Sequence, residues 1–160
     1  MRSEHRAWVA VSHPGRTLGA MTSWINTVSR NHVQRGVAGG FTQANHGKPH
    51  MLTRMKRGDW IVFYSPRTDF PDVAPLQAFT AIGEVTDDEP YQVEMSADFH
   101  PWRRNVDFAP ANEAPIRPLI DDLDFIEDKA RWGYKFRFGV FEISEHDLGV
   151  IRAAMDAGAP

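Results

Sequence analysis

The sequence predicts an α+β fold in one domain, a small mixed barrel of short strands with helices tucked between them. Two observations carry that expectation. Several apolar runs are short and bounded by Gly, Pro, Asn or Asp, which is how strands separated by turns are written. At 160 residues, 42% hydrophobic and 24% charged, the chain fits one ordinary domain with a real core and is not a disordered polymer. No internal repeat or low-complexity segment argues for anything larger.

Taken in order, residues 1–20 stand apart. Arg2, Arg6 and Arg16 face only Glu4, and the apolar run at 7–11 stops at Ser12-His13-Pro14-Gly15, too short for a signal-peptide core. They are expected to be an N-terminal extension outside the core fold, with the domain over 21–156 and a tail at 157–160. Residues 24–28 alternate bulky and polar side chains as a first strand. Ser29 is placed to cap a short helix over 30–35 that Gly36 would end, and Gly39-Gly40 makes a loop of 37–43. Met51, Leu52 and Met55 have the spacing of one helical turn. Residues 56–59 form a turn into a buried strand at 60–64, closed by Pro66. Further strands are expected at 78–87, 99–108 and 136–143, with Pro110, Pro115 and Pro118 breaking 110–133 into short helical pieces. Ser144 and Asp147 have capping-box spacing at the start of a last helix that turns Leu148, Ile151 and Met155 inward.

Much chemistry is excluded. The longest unbroken apolar run is five residues, 60–64, against the roughly 20 a membrane helix needs, so no membrane partner is expected. With no cysteine there is no disulfide, zinc thiolate, iron–sulfur cluster or cysteine nucleophile, a composition that fits a cytoplasmic protein. Phosphate-loop, dinucleotide and zincin motifs are absent. His46 and His50 are four apart, but Gly47 and Pro49 spoil the helix that would align them on a metal. Asp121, Asp122, Asp124, Glu127 and Asp128 lack calcium-loop spacing and read as a solvated acidic edge. No metal and no cofactor is expected. Arg57-Gly58-Asp59 spells an adhesion tripeptide but reads as the turn before a buried strand.

Net charge is −3, unevenly spread: residues 1–67 carry +8 and residues 68–160 carry −11. If the halves stay apart in space, the molecule has a basic face able to draw in phosphate. Aromatics, cations and small polar residues then associate in a way that suits a flat heterocycle. Ser29-Arg30-Asn31-His32 opens a helix, Phe41-Thr42-Gln43 follows flexible backbone, and Tyr64-Ser65 ends a strand at a barrel mouth. Trp102-Arg103-Arg104 and Trp132-Gly133-Tyr134 set indoles beside cations. Trp24 and Trp60 read as core, Trp102 and Trp132 as pocket, and Tyr64 and Phe41 fit either. His32 and Asn26 have ordinary structural readings too. These features alone give a ligand-binding barrel of unknown ligand.

The residues also carry a family likeness. Trp24-Ile25-Asn26-x-x-Ser29-Arg30-x-His32-Val33-x-x-Gly36-x-x-Gly39-Gly40-Phe41-x-Gln43 resembles the opening of the EVE domain family. So do Gly58-Asp59-Trp60-Ile61-Val62-Phe63-Tyr64-Ser65-Pro66, Pro101-Trp102-Arg103-Arg104 and Trp132-Gly133-Tyr134-x-Phe136-Arg137-x-Gly139, in the family's order from about residue 21 to residue 155. The resemblance implies a PUA-like twisted β-barrel flanked by short helices, with kinship to YTH domains, which cage a methylated adenine. It further implies binding of a modified nucleobase, notably modified cytosine, in DNA or RNA; the leading expectation is a reader without catalysis, with the oligomeric state left open and a monomer expected. The resemblance places Asn26, Ser29, His32, Phe41 and Gln43 at the base pocket, and the reading of the residues adds Tyr64, Ser65, Trp102 and Trp132. Arg30, Lys48, Arg103 and Arg104 would contact phosphate. The competing readings are a small hydrolase of a modified base or nucleoside, using Lys48, Thr42 and Glu84, and a module that binds a metabolite or a protein. Glu84 decides the first by pointing into the pocket or away from it.

Overall fold

The computed structural model of the chain describes residues 21–43, 49–69 and 74–156. The extension at 1–20, the tail at 157–160, and His46 and Lys48 therefore lie outside the described residues. The elements run β1 (Ser23–Thr27), α1 (Arg30–Gly39), β2 (Phe41–Thr42), α2 (His50–Arg54), β3 (Trp60–Arg67) and β4 (Pro75–Val85). They continue with β5 (Tyr91–Gln92), β6 (Trp102–Phe108), β7 (Ala114–Pro115), β8 (Val140–Ile143) and α3 (Glu145–Asp156), with three 3₁₀ turns between β7 and β8.

The strands form one mixed sheet in the order β2-β6-β4-β3-β1-β8, with β5 added to β6 and β7 to β4. β1 and β3 are parallel, Trp24 beside Ile61 and Thr27 beside Tyr64, and the other pairs are antiparallel. The sheet curls so far that β2 and β1, four places apart in the order, meet: Asn26 Nδ2 donates to Thr42 Oγ1 at 3.1 Å. The result is a curled half-barrel with a few short helices, the α+β, PUA-like fold that the sequence predicts.

Consecutive strand residues point to opposite faces, and here both faces are covered. Ile25, Val62, Tyr64 and Phe79 pack with Phe125, Phe136 and the inward Ile151 and Met155 of α3. Their neighbours Trp24, Ile61 and Phe63 go the other way, against Val33, Leu52 and Val106. Strands sandwiched like this read as unbroken apolar runs, which is why 60–64 is legible. The tripeptide at 57–59 is a structural turn. Asp59 is 1% exposed, and its carboxylate accepts from the Thr22 and Lys56 N–H groups and from Trp24 Nε1.

Several local expectations need correction. α1 runs through Gly36 and ends only at Gly40, whose φ of 73° is the left-handed geometry glycine tolerates. Gly36 serves packing instead: a Cβ there would lie 2.5 Å from the Phe41 carbonyl oxygen. Ser29 sits at the N-cap without a side-chain capping bond, and the Asn31 N–H is taken by the Thr68 carbonyl at 3.0 Å. Residues 134–138 are a 3₁₀ turn rather than strand, because Phe136 stacks flat on Tyr64 with centroids 3.8 Å apart. At α3, Ser144 Oγ accepts from the Asp147 N–H, but the Asp147 carboxylate turns to the N–H groups of Asp124 and Phe125, tying that loop to the helix.

The charge halves interleave. β2 of the basic half lies beside β6 of the acidic half, and β1 lies between β3 and β8. Sequence position therefore does not divide the molecule into a basic and an acidic face.

Candidate functional site

At the end of the curl where α1, β1 and β2 converge with β6, a cavity of about 550 Å³ opens, inside the range of about 300–1,000 Å³ usual for small-molecule sites. Glycine lets it form. A Cβ on Gly39 would meet the Phe41 ring at 2.5 Å, as one on Gly36 would meet its carbonyl, so α1 can close on β2 only because both positions are bare.

Asn26, Thr42 and Phe63 in the lining are each 3% exposed or less. Beside them Thr27 Oγ1 is the one buried side-chain polar atom without a hydrogen-bond partner among the described residues. Such a group costs about 1–3 kcal/mol while unmet. On β6, Arg103 lays its guanidinium over Phe41, 3.6 Å from the ring centroid. Arg103 Nε donates to Gln43 Oε1 at 3.2 Å, and a terminal nitrogen reaches the Met95 sulfur at 3.3 Å. One face of Phe41 is therefore taken by Arg103. The free aromatic surface comes from Phe99 and Phe138 at the rim, 41% and 58% exposed, with Met95 at 56%.

Among the described residues the lining contains Arg35, Arg103, Arg137 and His32 and no carboxylate. In a chain with 21 acidic residues and a net charge of −3, that is a local concentration of positive charge inside partly apolar walls, where fields are strongest.

Of the residues singled out in the sequence, the cavity brings together Asn26, His32, Phe41, Gln43 and Arg103, with Thr42 between them. The others lie elsewhere. Tyr64 is 2% exposed and stacked on Phe136, and burial pushes its hydroxyl pKa well above the usual range. Ser65 is fully buried and shares a hydrogen bond with Thr80 Oγ1. Trp102 packs on the Trp24 cluster, and Trp132 packs edge-on to Phe136 with Arg117 over its ring. Ser29 is not in the lining.

Two of the phosphate candidates are committed to the fold. Arg30 pairs with Glu113. Arg104 is 0% exposed; it donates to Asp87 Oδ1 and to the carbonyls of Asp87, Leu52 and Met55. Glu84 lies on β4 opposite Trp60 and Asp107 and does not line the cavity.

Sequence reasoning missed Thr27, Arg35, Met95, Phe99, Arg137 and Phe138. Of these, Arg137 and Phe138 carried a signal, a basic and aromatic alternation before Gly139. A strand reading of that stretch hides it, since every second residue of a strand turns away.

The family model for the EVE domain matches residues 6–154. The chain belongs to the EVE domain family. A UPF0310 protein of Mycolicibacterium vanbaalenii is 77% identical over 135 residues, covering 84% of this chain and 93% of the relative. Among solved structures, the crystal structure of Atu2648 from Agrobacterium tumefaciens aligns over 87% of this chain and 97% of its own, with a TM-score of 0.55 and 16% identity. The NMR structure of Rpa0253 from Rhodopseudomonas palustris gives 0.54 at 16%, over 88% and 97%. At that identity the two structures speak for the fold alone. No helix among the described residues of this EVE domain is long and apolar enough to cross a membrane.

Proposed function

We propose that this EVE domain binds one modified nucleobase of a DNA or RNA strand in the cavity and releases it unchanged. The observation that carries the reading is the lining: among the described residues, three arginines and a histidine, no carboxylate, and two exposed phenylalanines around a buried polar end. A nucleotide is a flat ring with hydrogen-bonding edges and an anionic tail, and each part has a counterpart here. Phe99 and Phe138 offer faces for stacking, and the Arg103 guanidinium over Phe41 extends them. Thr27 Oγ1, Asn26 and Gln43 can meet the base edge, and Arg35 and Arg137 the flanking phosphates. A base must leave its stack to enter such a cavity, and few phosphates need to follow it.

The hydrolase reading loses support at one point. It needs a carboxylate beside the substrate for general acid–base work, and Glu84, the one named for it, does not line the cavity.

Short single and double strands carrying cytosine, 5-methylcytosine, 5-hydroxymethylcytosine or N6-methyladenine are titrated at fixed salt, with nucleoside products followed by chromatography. The reading expects a preference for one modified base with no product. Product formation, or equal affinity for every strand, would overturn it.

A further inference from the structure

Residues 129–139 break the charge rule of their half of the chain. They hold four cations and four aromatics and no carboxylate, inside a stretch whose balance is −11. The structure folds them as two 3₁₀ turns, Lys129–Arg131 and Tyr134–Phe138, and sorts the aromatics. Trp132 and Phe136 pack inward. Tyr134 and Phe138 remain 54% and 58% exposed, their rings edge to face at 5.7 Å. Arg137 lies 5.9 Å from the Tyr134 ring centroid, and neither it nor Arg131 has a carboxylate partner among the described residues.

Phe138 and Arg137 line the cavity, whereas Tyr134 lies beyond its lining. The patch is thus continuous with the cavity and leads away from it. Adjacent exposed rings mark a contact surface, and rings set among unpaired guanidinium groups match a stacked base beside its phosphate. We propose that this strip is a second subsite, which takes a single-stranded nucleic acid: the nucleotide next to the cavity stacks on Tyr134, and Arg131 and Arg137 neutralise the adjoining phosphates. The inference rests on the base-binding reading only for what fills the cavity. It makes the ligand a strand rather than a free nucleoside.

The test uses nonamer single strands of DNA and RNA, unmodified or with a central 5-methylcytosine or N6-methyladenine, together with the free nucleosides. Wild type is compared with Tyr134→Ala, Tyr134→Phe and Arg131→Ala, with melting temperature as the control for folding. Tyr134→Ala is expected to weaken every nonamer by about fivefold or more, to leave nucleoside binding unchanged, and to be rescued by Tyr134→Phe. Arg131→Ala should lower the slope of log affinity against log salt by about 0.7. Nonamer binding that is absent in wild type, or unaltered in both alanine variants, overturns the strip whatever the cavity does. A loss in the alanine variants without preference for either modified base would keep the strip and count against the base reading instead.

Discussion

Arg103 and Arg104 are neighbours on β6 and belong to two different regions of the molecule. Arg104 points into the fold, is 0% exposed and donates to Asp87 and to the last carbonyls around α2. Arg103 points into the cavity, stacks on Phe41 and has no carboxylate partner among the described residues. One residue step changes an arginine from a bolt into a contact surface. The lesson is that charge available for a ligand is what remains after the fold has used its share. Arg30, bound to Glu113, lies on the same side of that division as Arg104.

Substitution should separate the two arginines, with the largest effect at Arg104. Arg104→Met leaves the Asp87 carboxylate and two helix-end carbonyls without their donor, and should cost about 3–5 kcal/mol, read as a lower urea midpoint. Adding Asp87→Asn should cost less than the sum of the two single changes, since the pair acts as a unit. Arg103→Ala should cost only about 0.5–1 kcal/mol in the same measurement, while weakening oligonucleotide binding several-fold. A large loss of stability there would erase the distinction.

The smallest effect is expected at His146, an exposed imidazole that is nonetheless engaged. Its pKa is raised by the hydrogen bond to the Asp122 carbonyl and by the charge of Asp124. A raised folded value means the stabilisation is complete below about pH 6.5, the unfolded value, and fades as pH rises through the folded one. His146→Gln should therefore melt slightly lower than wild type in acid and match it in alkali. Melting curves across that window check the sign.

The sequence shows the long elements well and the short ones badly. β1, β3, β4 and α3 have enough residues for a pattern to repeat, whereas β2, β5 and β7 are two residues each and exist only because a partner strand is present. Gly36 reads as a helix stop because glycine stops helices and also permits close packing, and only the position of Phe41 tells the two apart. At the site, Asn26, His32, Phe41, Gln43 and Arg103 fall at the cavity. Tyr64, Ser65 and Arg104 do not, because which side of a strand is covered depends on elements far along the chain. Trp132 and Phe136 were indistinguishable in kind from Tyr134 and Phe138. The 3₁₀ turn, which sends alternate rings inward and outward, cannot be read from residue type.

The place of β1 between β3 and β8 governs how the chain can be made. Its edge toward β8 stays unpaired until Ile143 has been synthesised, on the order of ten seconds after β1 at typical rates of translation. Trp24 and Ile25, both buried in the finished fold, lie on the strand whose outer edge β8 closes. A fragment ending before residue 143 would lack β8 and leave the outer edge of β1 without its partner.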